Sequence, residues 1–386
     1  MAGIYIHIPF CKQACYYCNF HFATSLHYKN DLVSALLKEI DLQKGYLENE
    51  TIDTIYFGGG TPSLFEIDEV QSIITKIYSL YNVFPNAEVT LETNPDDITN
   101  EKLNGWKENG INRLSIGVQS FFEEDLQWMN RAHNAIQAKQ SIELAQQSGF
   151  NNISIDLIYG MPFLSNERWK DNVDTAIAFN IPHLSCYALT VEPKTPLQKM
   201  IASHKTEDIN PGKQSEQFLL LMSWLEETGY EHYEISNFAK PGLRSRHNAS
   251  YWSGKKYLGI GPSAHSFDGI SRQWNISNNN IYIDSINKGI VPFEKEVLSP
   301  TQKLNEYIMT SLRTMEGLDL ERVESSDPIA IGLEVGSLPT GQAGQEFRGK
   351  CQKFIDTGKM ILKENKLILT KEGKLFADGI AADLFF

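Results

Sequence analysis

The chain has 386 residues, enough to bury a large core as two domains or as one barrel with appendages. Its 48 acidic against 35 basic residues give a formal charge of −13, which argues against a nucleic-acid backbone as partner. Of its five cysteines, Cys186 and Cys351 are isolated in apolar or helical surroundings, so free thiols in a reducing cytoplasm are expected rather than disulfides. No signal-peptide pattern precedes residue 10, and no apolar run approaches the ~20 residues of a membrane span.

In chain order, the first element is an apolar strand-like run at residues 4–8. It leads into Cys11-Lys-Gln-Ala-Cys15-Tyr-Tyr-Cys18, a C-x3-C-x2-C triplet. Three thiolates at this spacing can hold three irons of a [4Fe–4S] cluster and leave the fourth iron open for a small ligand. With His21 they could instead complete a Cys3His zinc tetrahedron, although zinc modules usually open with C-x2-C or C-x4-C. Further β-branched runs follow at 54–57, 88–91, 113–118, 153–158 and 183–189, each succeeded by a helical pattern. Leu32, Ala35, Leu36 and Ile40 repeat at helical spacing. A helix is expected from Thr99, with Leu103 and Trp106 inward and Gly110 as its stop, and another over 134–147. Strand–helix alternation predicts an α/β fold with a parallel sheet and right-handed crossovers. Six units are too few for a closed eight-stranded barrel, so an open six-stranded (β/α)6 partial barrel is expected over residues 1–200.

Chemistry in such barrels sits at the C-terminal strand ends. These ends carry the cysteines, Gly58-Gly59-Gly60-Thr61-Pro62, Glu92-Thr-Asn94-Pro95, Gln119-Ser120, Asp156 with Tyr159-Gly160, and Ala188-Leu189. Turn chemistry explains the glycines and prolines but not Glu92, Gln119 and Asp156. Beyond residue 200 the character changes. An amphipathic helix over 214–228 precedes the aromatic stretch 230–238, and Arg246-His247-Asn248-Ala-Ser-Tyr251-Trp252 follows. Residues 201–298 are assigned to a connecting region. Residues 299–386 are assigned to a small α+β, winged-helix-like domain ending in helix, hairpin and helix. Residues 325–345, rich in Gly, Ser and Pro, read as loop.

The cysteine spacing is that of the radical S-adenosylmethionine (SAM) proteins. With the glycine run and the Glu/Gln/Asp series, the chain resembles the oxygen-independent coproporphyrinogen III oxidase family, and within it the heme-chaperone branch. Phe20 stands where the oxidases have a fourth cysteine, and the first strand begins at Gly3 without the oxidases' N-terminal extension. His247-Asn-Ala-Ser-Tyr251-Trp252 matches the H-N-x-x-Y-W pattern linked in this family to heme. The 325–345 stretch departs from the family, which has a charged helical segment there.

The resemblance implies a [4Fe–4S] cluster on Cys11, Cys15 and Cys18. It implies SAM against Tyr5, Gly59, Gly60, Thr61, Glu92, Gln119, Arg131, Asp156 and Ala188, and heme at His247. In that reading Arg131 clamps the SAM carboxylate and Asp156 takes the ribose. Glu92 balances positive charge, or else is a barrel-interior carboxylate paired with Arg131. Tyr5 and Ala188 could equally be packing residues. The glycines would allow close approach of a ligand. His247 is otherwise a hydrogen-bonded loop histidine. The implied function is delivery of heme to acceptor apoproteins, respiratory ones among the candidates, and a homodimer is compatible. The competing readings are the oxidative decarboxylation of coproporphyrinogen III and radical SAM chemistry on another substrate.

Overall fold

Six parallel strands occupy the six apolar runs in the computed structural model, which describes residues 1–324 and 342–386. They are β1 (Ala2–Ile8), β2 (Ile52–Gly59), β3 (Val83–Thr93), β4 (Arg113–Gln119), β5 (Ile153–Tyr159) and β6 (His183–Ala188). Each pairs with the next in chain order. The two-residue period of a strand sorts side chains onto two faces. Ile4, Ile6, Ile55, Leu91, Leu114 and Ile155 take one face and pack under the crossover helices, in one core with Leu32, Leu36 and Trp106. The alternate positions, among them Tyr5, Tyr56, Glu92, Arg113 and Asp156, turn inward. The lumen of the partial barrel is therefore polar, and the apolar core lies between sheet and helices.

Helix starts follow local capping chemistry. Thr99 Oγ1 accepts the Lys102 backbone N–H and opens the Asn100–Glu108 helix. Asn134 and Gln137 form a capping box that opens Ala135–Gln147.

The sheet does not end with β6. β8 (Asn237–Ala239) adds antiparallel to β6, followed by β7 (Glu231–Glu234). On the other side β9 (Tyr257–Ile260) runs parallel to β1, followed by β10 (His265–Phe267), β11 (Ser271–Asn275) and β12 (Phe293–Val297). The result is one 12-stranded sheet in the order β12-β11-β10-β9-β1-β2-β3-β4-β5-β6-β8-β7. Segment 201–298 thus supplies both edges of the sheet that the six parallel strands begin. Strands of three to five residues show too few alternations to be legible as strands in isolation.

A second core of Leu304, Ile308, Leu318, Phe347, Leu367 and Ile380 builds the smaller C-terminal unit. There the Pro300–Leu312, Gln342–Asp356 and Ala377–Asp383 helices surround a three-stranded sheet. Its order is β13 (Leu318–Asp319), β15 (Lys366–Leu369), β14 (Met360–Lys363). The stretch read as loop over 325–345 lies outside the described residues up to 341, and helix begins at Gln342. Among the described residues no helix is long and apolar enough to cross a membrane.

Candidate functional site

β1 delivers the chain into the cysteine loop, and Arg131 fastens that loop to neighbouring strand ends. Its Nη1 donates to Cys15 Sγ at 3.2 Å and to Tyr17 Oη at 3.4 Å. Its Nη2 donates to Asn94 Oδ1 at 2.7 Å and to the Gly117 carbonyl at 2.9 Å. The Thr61 hydroxyl opposes the rise that burial imposes on the Cys11 thiol, and Asn94 Nδ2 donates to Thr61 Oγ1 at 3.1 Å. A guanidinium and a hydroxyl beside partly exposed thiols are the donors that thiolate ligands need, so the loop fits an iron–sulfur cluster. His21, the fourth ligand of a zinc reading, has its Nε2 engaged with Asn279 Oδ1 at 2.7 Å. Among the described residues no three His, Cys, Asp or Glu side chains form a ready-made cage for one ion. The bound group itself would gather the thiols.

Glu92 does not pair with Arg131. Its two oxygens accept from Tyr56 Oη at 2.7 Å and from the Gly59 backbone N–H at 3.2 Å. Burial pushes its carboxyl up to about 7, with Asp156 adding to the effect. Burial likewise raises Asp156 to about 6, although hydroxyls from Ser185 and Ser115 and the charges of Arg113 and Arg131 oppose it. Two half-buried carboxylates with too little positive charge suit a cationic ligand such as a sulfonium or an ammonium. Gln119 has φ +65°, a left-handed conformation at the irregular end of β4. Strain of this kind in a non-glycine residue marks functional strand ends.

The glycines are required by the chain itself. A Cβ on Gly59, whose φ is +108°, would meet the His7 ring at 2.7 Å. One on Gly60 would meet the Phe10 carbonyl oxygen at 2.5 Å. Close approach to a ligand is therefore not needed to explain them. Tyr5 stacks on Tyr56 with centroids 6.0 Å apart, and its hydroxyl pairs with His7 Nδ1 at 3.2 Å. Ala188 closes β6, partly buried against the main core.

His247 is at the other mouth. It lies on a seven-residue helix, Arg246–Trp252, and not in a loop. The helix starts where Glu88 accepts the backbone N–H groups of Arg246 and His247 at 3.2 and 3.0 Å. Nδ1 of His247 pairs with Thr54 Oγ1 at 2.7 Å, and Nε2 with Tyr251 Oη at 2.9 Å. Burial, with Arg113 nearby, lowers the imidazole to about 3, so it is neutral. β1 is seven residues long, roughly 20 Å at about 3.3 Å per residue, and it separates this helix from the cysteine loop. Tyr56 spans the space between: its ring stacks on His247 with centroids 4.8 Å apart, and its hydroxyl binds Glu92.

Residues 5–176 match the Radical SAM superfamily. The heme chaperone HemW of Bacillus subtilis (strain 168) is 31% identical over 383 residues, covering 98% of this chain and 98% of that protein. The chain belongs to the HemW family. The HemW of Synechocystis sp. (strain ATCC 27184 / PCC 6803 / Kazusa) is 33% identical over 396 residues, covering 99% of this chain and 95% of its own length. The solved structure of coproporphyrinogen III oxidase (HemN) from Escherichia coli, a radical SAM enzyme, aligns with a TM-score of 0.82. That alignment spans 100% of this chain and 90% of that one at 21% identity, which establishes a shared fold.

Sequence reasoning missed several residues of this HemW-family site: Tyr56, Thr54, Glu88 and Arg113. Their signal was the inward parity of the strands. Thr54, Tyr56, Glu88 and Arg113 alternate with the apolar positions, and a polar residue at an inward position can be recognised once the strand's register is known.

Proposed function

We propose that this protein is a heme-binding chaperone that carries a SAM-coordinated [4Fe–4S] cluster and hands heme to acceptor proteins in the cytoplasm. The observation that carries this reading is likeness to a heme chaperone across 98% of both chains. Cys11, Cys15 and Cys18 would hold the cluster, with Arg131 and Thr61 supporting the sulfurs. Glu92 and Asp156 would face the positive charge of SAM, and Gln119 would offer an amide beside them. When bound, the cluster would supply an electron to the sulfonium of SAM. The chain's own residues position that ligand and shield it at the lumen mouth. His247 is the proposed heme-associated histidine. Its Nε2 is held by the Tyr251 hydroxyl, so it would act on a ligand outside the lumen through Tyr251.

Porphyrinogen oxidation is the disfavoured alternative, because Phe20 stands exposed where the oxidases have a cysteine. Anaerobic reconstitution should load about four irons per chain, and Cys15→Ala should abolish loading, since two thiolates retain a cluster poorly. One zinc without sulfide would refute the cluster. Addition of SAM should change the EPR spectrum of the reduced cluster, and Asp156→Ala should weaken that change at intact iron content. Hemin should bind, with a Soret band altered in His247→Ala. Turnover of coproporphyrinogen III at an oxidase's rate would overturn the chaperone reading.

A further inference from the structure

On the Arg246–Trp252 helix, His247 fills the side toward the lumen. Tyr251, one turn along the helix and hydrogen-bonded to His247, and Trp252 reach a separate cleft of about 1290 Å³, which His247 does not line. This is larger than the roughly 300–1,000 Å³ of ordinary small-ligand pockets. The opposite wall comes from the C-terminal unit, through Tyr307, Arg322 and Lys366.

Eight cationic side chains line the cleft against four acidic ones, in a chain whose net charge is −13. Three of the acids are already held by arginines: Asp53 by Arg246, Glu306 by Arg272 and Glu316 by Arg244. The excess positive charge therefore resides on side chains such as Lys255, Arg322 and Lys366. Lys255 is 3.7 Å from Asp53, which Arg246 already binds, and Arg322 lies over the Tyr307 ring at 4.3 Å. Aromatic rings supply the apolar surface, with Trp252 carrying the Arg313 guanidinium at 5.4 Å. A concave site with aromatic walls and a cationic rim selects a flat apolar body bearing carboxylates.

We propose that this cleft is the seat of heme, taken up as an aromatic dicarboxylate. Its macrocycle lies along Tyr251, Trp252 and Tyr307, and its two propionates meet cations of both walls, Lys255 and Lys366. This rests on the heme-binding reading above and adds to it the recognition of the carboxylates and the share of the C-terminal unit. Heme then bridges the two units of the molecule.

The test titrates the full-length protein with hemin and with hemin dimethyl ester, whose carboxylates are blocked. The wild type should bind hemin about tenfold or more tightly than the ester, because charge-assisted contacts are lost with the ester. In Lys255→Glu/Lys366→Glu, both on the surface, hemin affinity should fall by about the same factor while ester affinity stays within about twofold. That unchanged ester affinity, with an unchanged melting temperature, rules out a merely misfolded variant. Wild-type protein that binds neither compound would overturn the chaperone reading and this seat with it. Wild-type protein that binds both equally, or a variant that still prefers hemin as the wild type does, would overturn the cleft and leave the chaperone reading standing.

Discussion

Glu92 is held in the lumen by a tyrosine hydroxyl and one backbone N–H, and among the described residues no lysine or arginine forms an ion pair with it. Its carboxyl is raised from 4.5 to about 7, so the folded state keeps a proton that the unfolded chain releases near pH 4.5. Stability therefore falls as pH rises from 4.5 through 7, and the cost is complete above that window. Glu92→Gln should remove it: the amide oxygen can accept from Gly59 and the amide N–H can donate to Tyr56. The variant without added ligands should gain up to about 3 kcal/mol at pH 8 and almost nothing at pH 4.5. Urea midpoints at the two pH values check this, and an equal change at both would sink it. The same variant should bind SAM more weakly, because the carboxylate that faces the cation is gone.

The short Arg246–Trp252 helix owes its position to a residue far from it in sequence. Glu88, on β3, accepts its first two backbone N–H groups and lies 3.8 Å from the buried Arg113. Glu88→Ala would strip the helix of its acceptor and take a carboxylate away from a buried guanidinium. We expect a loss of about 3–5 kcal/mol, the range seen when one partner of a buried pair is removed. Glu88→Gln, which keeps an acceptor oxygen, should lose less. Chemical denaturation would order the two variants, and equal losses would mean that the acceptor oxygen kept by Gln contributes nothing. Strand β12 shows a different local device. All five of its residues are exposed at the sheet's outer edge, and Glu294, Lys295 and Glu296 at its centre discourage edge-to-edge pairing. Replacing the three with valine should promote concentration-dependent aggregation, visible by light scattering.

On the scale of the molecule there are two apolar cores, and among the described residues only Ile235 packs against both. Ile308 is fully buried in the second core. Ile308→Ala should destabilise the C-terminal unit by about 2–5 kcal/mol, as large-to-small changes in cores do. Because the cysteine loop hangs from the first core, iron loading should be unchanged. Hydrogen exchange should rise in the Pro300–Leu312 helix and in β15, while amides of β1 to β6 keep their protection. Uniform loss of protection across both units would show that the two cores unfold as one.

The thiol triplet, the glycine run and the six strand–helix units were legible in the sequence, because spacing and periodicity are properties of neighbouring residues. The caps at Thr99 and Asn134 were legible for the same reason. The outer strands were not: three to five residues carry little period, and β9 finds β1 across more than 250 positions. Nor could spacing show that Glu92 bonds Tyr56 while Arg131 reaches Cys15 from 116 residues away. Those partners depend on which residues of each strand point inward and on how the strands are staggered. The same holds for His247. Its motif is visible in one dimension, but only the folded sheet puts it at the opposite mouth of the barrel from the cysteines, with both ring nitrogens engaged. Tertiary packing decided that, since the hydrogen bonds that join this helix to Thr54 and to the accepting Glu88 exist only when β2, β3 and the helix are brought together.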